Sequence, residues 1–226
     1  MAGTASDSMT FLSRFFAAGG SQLVRGIAWH SYNMPAELDV TSMATLRSVM
    51  AAYGLQSLPN WNTEAGVLEG TWATFGKDRV FAAGYLAKVY LLDWALGVNR
   101  LCYYAYNSGI MEGLTLTERE TGSVRPNELS PAGLAYINVK NWMQGARVTS
   151  ARQDTLGVWT VQLQRTVSGT VRSQWVLWSS TGATVSRVLS STWRVTYRQD
   201  LISGTRTSIS STATIQVGDI PVLVGQ

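Results

Sequence analysis

The chain has 226 residues, 46% hydrophobic and 14% charged, enough for one sizeable core or two modest ones and without the signature of disorder. Its net charge of +4 is uneven: Met1 to Ala146 carry 10 Lys and Arg against 11 Asp and Glu, whereas Arg147 to Gln226 carry 8 against 3. A single cysteine, Cys102, excludes an intrachain disulfide, and a single histidine, His30, argues against a zinc cluster. The arginines of the basic half form no polybasic run of the kind that binds nucleic acid, so a solvated sheet face is expected there.

Met1 to Met9 is small and polar and has no basic stretch ahead of an apolar core, so no targeting sequence is expected at the start. Ser6 to Ala18 sets Phe11, Leu12, Phe15 and Phe16 on one side and ends at Gly19-Gly20, the pattern of a short helix. Leu23 to Tyr32 reads as a strand. Pro35 to Tyr53 has apolar residues at Leu38, Met43, Leu46, Val49 and Met50, a helical spacing closed by Gly54. Leu58 to Glu64 is the next strand. Lys77 to Leu96 is a long helix ended by Gly97; its apolar run from Val80 contains Gly84, Lys88 and Asp93, which marks a buried helix and not a membrane span. Arg100 to Asn107 gives a third strand, and Ser130-Pro131 supplies an N-cap and first-turn proline for a helix through about Gln144. The order α-β-α-β-α-β-α is that of parallel strands joined by helical crossovers.

After Gly145 the period changes. Gly157 to Thr166, Thr170 to Ser179, Ala183 to Leu189, Thr192 to Arg198, Thr207 to Val217 and Ile220 to Val224 are short runs rich in Val, Thr, Ile and Trp, separated by turn pairs such as Ser168-Gly169 and Gly218-Asp219. They predict an antiparallel β-sandwich, with Trp159, Trp175, Trp178 and Trp193 packed in its core and not displayed for ligands. The fold class is therefore α/β plus all-β, with one domain over 1–146 and an accessory β domain over 147–226.

The run Pro59-Asn60-Trp61-Asn62-Thr63-Glu64-Ala65-Gly66 ends a strand on a carboxylate, and Glu64 is the residue on which a function can be argued. Strict alternation predicts Asn60, Asn62 and Glu64 on one face of this strand and Trp61 and Thr63 on the other. By the same rule Ala28, His30 and Tyr32 share a face, and Trp29 and Trp61 are expected to face the helices.

Leu23 to Asn33, Pro59 to Gly66, Val98 to Asn107 and Leu129 to Ala146 resemble the sixth, seventh and eighth strands and final helix of a clan A glycoside hydrolase, most similar to families 5 and 39. The tail from Trp159 to Leu223 is similar to the β-sandwich that often follows such barrels. The resemblance implies a partial (β/α)8 TIM barrel, strands six to eight with their helices, cut from a retaining enzyme that cleaves O-glycosidic bonds in oligo- or polysaccharides. It implies that Glu64 is the nucleophile and that Tyr32 or His30, from strand six, hydrogen-bonds it and aims it. Asn62 joins His30 and Tyr32 as a substrate-binding candidate. So does Tyr106, standing where the family places a tryptophan under the sugar, while Tyr104 and Cys102 on the same face are expected to fill the barrel interior.

A retaining mechanism needs a second carboxyl group about 5–5.5 Å from the nucleophile. In the family it follows an asparagine on strand four, which has no counterpart here. Asn127-Glu128 is the only Asn-Glu pair, but it lies in a loop after strand eight and reads as a decoy; Glu69 and Glu112 have no matching motif. The chain is accordingly expected to lack its acid/base, to be inactive alone, and to need a missing N-terminal barrel half or a copy of itself. No cofactor, nucleic acid or membrane partner is expected, and secretion is implied by the resemblance. Two alternatives stand beside this reading: a non-catalytic carbohydrate-binding protein using Tyr106 and Trp72 as stacking platforms, and a scaffold or polyanion-binding module relying on the basic half.

Overall fold

The computed structural model describes residues 9–32, 35–66, 79–107, 115–117 and 128–226. The first part runs α1 (Met9–Ala17), β1 (Ile27–Ser31), α2 (Leu38–Ala52), β2 (Asn60–Ala65), α3 (Arg79–Ala95), β3 (Arg100–Tyr103) and α4 (Pro131–Met143). The helices stop where the sequence predicts: Gly54 and Gly97, with φ of 69° and 71°, take the left-handed conformation that closes α2 and α3. Ser130 caps α4, its Oγ accepting a hydrogen bond from the Gly133 amide at 3.0 Å, with Pro131 in the first turn.

β1, β2 and β3 form one parallel sheet in that order. Its helix-facing side is covered. Ile27 and Trp29 pack with Leu12 and Phe16 of α1 and with Met43, Leu46 and Met50 of α2, while Ala65 packs against α3. The opposite side carries Arg100 and Cys102, both exposed, and half-buried Trp61 and His30. Cys102 is thus exposed on the same side of the sheet as His30.

The second part is all β: β4 (Ala146–Gln153), β5 (Val158–Val167), β6 (Thr170–Ser179), β7 (Val185–Val188), β8 (Tyr197–Gln199), β9 (Arg206–Ser208), β10 (Thr214–Val217) and β11 (Val222–Gly225). Six strands make an antiparallel sheet in the order β4-β5-β6-β11-β8-β9, and β7 pairs with β10 in a separate two-stranded sheet. Two departures from expectation have local causes. β4, Ala-Arg-Val-Thr-Ser-Ala-Arg-Gln, carries too few apolar residues to read as a strand because it is a largely exposed edge. The run Thr207 to Val217 divides between β9 and β10, which belong to different sheets.

One face of the large sheet packs under β7 and β10, with Val158, Trp175, Leu177, Ile215 and Val224 between the layers. The other face packs on α3 and α4, so Trp159, Val161, Leu163, Val176 and Trp178 share a core with Leu86, Leu92, Val139 and Trp142. The tryptophans are packing residues as expected: Trp159, Trp175 and Trp178 are buried, and Trp193 stacks on Trp175 with ring centroids 4.6 Å apart. Polar ties reinforce the junction. Lys88 of α3 forms ion pairs with Asp219 and, at 3.5 Å, with Glu37, whose carboxylate also accepts the Trp178 Nε1–H at 2.7 Å. Asn138 of α4 donates to the Leu201 carbonyl at 2.9 Å, and Arg165 to that of Trp142 at 2.7 Å. At Gly84 an added Cβ would lie 2.8 Å from the Ile220 side chain, so the glycine lets α3 approach the β10–β11 turn.

Candidate active site

Glu64 sits at the C-terminal end of β2, the middle strand. Tyr32 donates its hydroxyl proton to Glu64 Oε1, and His30 Nδ1 lies 3.2 Å from Oε2. Both partners come from the end of β1, so two neighbouring parallel strands converge on one carboxylate. The Glu64 and His30 side chains are 30% and 31% exposed, which leaves the carboxylate held yet reachable. The Tyr32 phenol is pushed above its ordinary range, first by burial, then by its hydrogen bond to Glu64 and that carboxylate's charge; Tyr104 adds to the rise. Tyr32 is therefore a firm donor, not a titrating group, near neutrality.

Strict alternation does not deliver Glu64 to this face. Trp29 pairs with Asn62 and His30 with Glu64, so Thr63 is an extra residue, and the pairing of β2 with β3 slips at the same place. Paired residues in a sheet share a side, and one inserted residue moves every later side chain across. Asn60 and Asn62 consequently lie with Ile27 and Trp29 on the helix side, while Glu64 joins His30 on the open side. This corrects the expectation that Asn60, Asn62 and Glu64 share a face. It also corrects the placement of Trp61, which faces away from the helices with the Arg100 guanidinium 4.7 Å from its ring centroid.

Asn62 is buried, its amide donating to Asp93 Oδ2 at 2.8 Å, so it is brought to α3 and not to His30 and Tyr32. Tyr106 is 69% exposed, and its carbonyl accepts bonds from the Thr117 amide and hydroxyl. Tyr104 is 41% exposed and lies near enough to Tyr32 to raise its pKa. Glu128 is exposed ahead of α4, whereas Glu69, Trp72, Glu112 and Asn127 lie outside the described residues. Among the described residues no group of three or more His, Cys, Asp and Glu is placed to hold a metal ion, and no helix is long and apolar enough to cross a membrane.

Beneath the sheet lies a buried polar cluster that sequence reasoning missed. Ser31 of β1 donates to Asp39 of α2, and Asn62 of β2 donates to Asp93 of α3. The signal was available, because Asp93 is the one acidic residue of α3 and falls in its apolar C-terminal half. Burial pushes the Asp93 carboxyl up to about 8, the Asp39 charge adds to this, and the Asn62 amide opposes it. The folded state thus binds a proton that the unfolded chain releases near 4, and the contribution of this group to stability falls as pH rises from about 4 to about 8. Urea unfolding at pH 5 and pH 8 should show wild type losing stability relative to Asp93→Asn over that interval; an unchanged difference would contradict the assignment.

No protein-family model matches the sequence, and no curated protein matches it. Solved structures do match in fold. A glucosidase from Croceicoccus marinus aligns with TM-score 0.61 and 11% identity, covering 99% of this chain and 58% of the enzyme. A monomeric β-xylosidase from Caulobacter crescentus CB15 aligns with TM-score 0.58 and 13% identity, covering 99% and 60%, and a family 39 glycoside hydrolase from Xanthomonas axonopodis pv. citri with 0.56 and 13%, covering 99% and 59%. The expected resemblance to glycoside hydrolases of this kind therefore holds for the fold, over nearly the whole chain. The chain spans less than two thirds of the length of each of these three enzymes.

Proposed function

We propose that this chain is the C-terminal portion of a retaining glycoside hydrolase, in which residues 1–146 supply strands six to eight of a β/α barrel and residues 147–226 an appended β-sandwich. The observation that carries this reading is a carboxylate at the C-terminal end of a middle parallel strand, aimed by a tyrosine and a histidine from the strand beside it. In a β/α barrel that end of the sheet is where chemistry is done. Glu64 is the nucleophile, forming a glycosyl-enzyme with a carbohydrate substrate, and Tyr32 and His30 fix its direction of attack. Tyr104 and Tyr106 offer flat rings for the sugar. Asn62 acts from below the sheet and not on substrate.

The acid/base comes from elsewhere. β1 and β3 have outer edges with no partner strand among the described residues, and apolar side chains are exposed on the same part of the chain: Phe11 on α1, and Leu129, Leu134 and Ile137 at α4. Soluble proteins cover such edges and patches. The two fifths of each matched enzyme that this chain does not span amounts to about 150 residues, the length of five βα units in a barrel that takes about 250 residues for eight. Strands one to five, carrying the acid/base, fit that length.

Purified alone, the chain is expected to be oligomeric or poorly soluble and to hydrolyse no aryl glycoside. Mixing it with a polypeptide supplying strands one to five should give a soluble complex, read by light scattering, and restore hydrolysis. A monodisperse monomer that gains no activity from such a partner would sink the proposal.

A further inference from the structure

What turns Glu64 toward His30 is the extra residue at Thr63, and the structure shows what fixes that slip in place. Thr63 donates its hydroxyl to the Trp29 carbonyl at 3.3 Å, a weak tie at the strand surface. The buried anchor is Asn62, immediately before the bulge, whose amide is bonded to Asp93 in the middle of the sheet–helix interface. With Asn62 held on the helix side, an unbulged strand would place the next even residue, Glu64, on that side as well.

We infer that Asp93 is a positioning residue for Glu64: by holding the Asn62 amide against α3 it locks the Thr63 bulge and so keeps the carboxylate on the face of His30 and Tyr32. This deepens the proposed function, since it matters to catalysis only if Glu64 is the nucleophile. The geometry has a chemical requirement. Asn62 Oδ1 and Asp93 Oδ1 are both buried without a hydrogen-bond partner. A buried acceptor left without a donor is destabilising, and the Asn62–Asp93 pair holds two of them beside its one hydrogen bond. A carboxylic proton on Asp93 Oδ1 resolves this by donating to Asn62 Oδ1, closing an amide–acid ring of two hydrogen bonds. The surroundings favour that form: the groups that act on Asp93 or feel its charge are Asp39 from α2 and Tyr85 and Tyr90 on α3 itself, none of them cationic. Lys88, on the same helix, is engaged with Glu37 and Asp219.

The test needs no turnover. His30 is the only histidine in the chain, so selective isotope labelling of histidine gives one imidazole whose ring-nitrogen resonance reports on contact with Glu64, in any oligomeric state. Glu64→Gln sets the position of that resonance without the carboxylate. Asp93→Asn keeps the two-bond ring, because its amide both donates and accepts, and should leave the wild-type resonance. Asp93→Ala should move it to the Glu64→Gln position with far-UV circular dichroism retained. If Asp93→Ala does not fold, the paired replacement Asn62→Val with Asp93→Leu removes both polar partners and leaves no orphan, so the chain should fold and show the same displaced resonance. A wild-type resonance in the folded paired variant, or one displaced equally by Asp93→Asn, overturns the inference. Failure of the glycosidase reading would appear separately, as hydrolysis by the completed barrel that is indifferent to Glu64→Gln.

Discussion

In a barrel completed with strands one to five, Glu64→Gln should lower kcat by roughly 10⁴- to 10⁶-fold, the span seen when one member of a nucleophilic catalytic group is removed. The substitution is close to isosteric. Tyr32 can still donate to the remaining oxygen, so the fold and the direction of the side chain should survive. What is lost is the negative charge and the lone pair that attack the anomeric carbon. Free azide, an anion small enough to enter the position that Glu64→Ala vacates, should restore part of the turnover to that truncated variant and yield a glycosyl azide of inverted configuration. A purely structural glutamate would give no such product. Hydrolysis within twofold of wild type after the substitution would remove Glu64 from the mechanism, whatever the fold.

Lys88→Met should be the most damaging single change to stability, costing about 3–5 kcal/mol, because it deletes one partner from a buried ionic cluster and strands the others. The Lys88 side chain is 4% exposed and that of Glu37 10%, and the Glu37 carboxylate also receives the Trp178 indole. Losing the ammonium leaves a carboxylate buried between α3 and the large β-sheet. Replacing Glu37 with Gln and Asp219 with Asn alongside Lys88→Met should recover most of the loss, since the cost comes from uncompensated charge and not from volume. The measurement is urea unfolding at fixed chain concentration, followed by tryptophan fluorescence and far-UV circular dichroism. The two probes should give one shared transition, because a single apolar core runs from α3 and α4 into β5 and β6. A shift below about 1 kcal/mol, the value of a solvated surface pair, would mean that Lys88 does not bind the two parts together.

Much of the fold was legible because its signals are local. The Ser130-Pro131 start, the glycine stops of α2 and α3 and the tight turns of the β half each depend on a few adjacent residues, and each lies where the sequence puts it. The closeness of Glu64 to His30 and Tyr32 along the strands was legible too, since all three stand at the C-terminal ends of neighbouring parallel strands, but the side on which Glu64 emerges was not, because it depends on the slip at Thr63. β4 was not legible: an exposed edge strand needs no apolar alternation to be recruited by its neighbour. Tyr104 was passed over because alternation alone cannot say which of two same-face tyrosines lies near the Glu64 cluster.

The sequence by itself determined the order of elements, their caps, the change from helical to strand period after Gly145, and the identity of the carboxylate at the end of β2. Only the tertiary structure decided which way that carboxylate points. The answer turns on one extra residue, Thr63, and a bulge is stabilised by partners far away in the chain, here Trp29 on one side and Asp93 on the other. It decided likewise that the β half is welded to the helices, since Lys88, Glu37, Trp178 and Asp219 are distant in sequence and meet only when α3 packs on the sheet. Alternation and capping act over a few residues, whereas register and buried charge are settled by what the folded chain brings alongside.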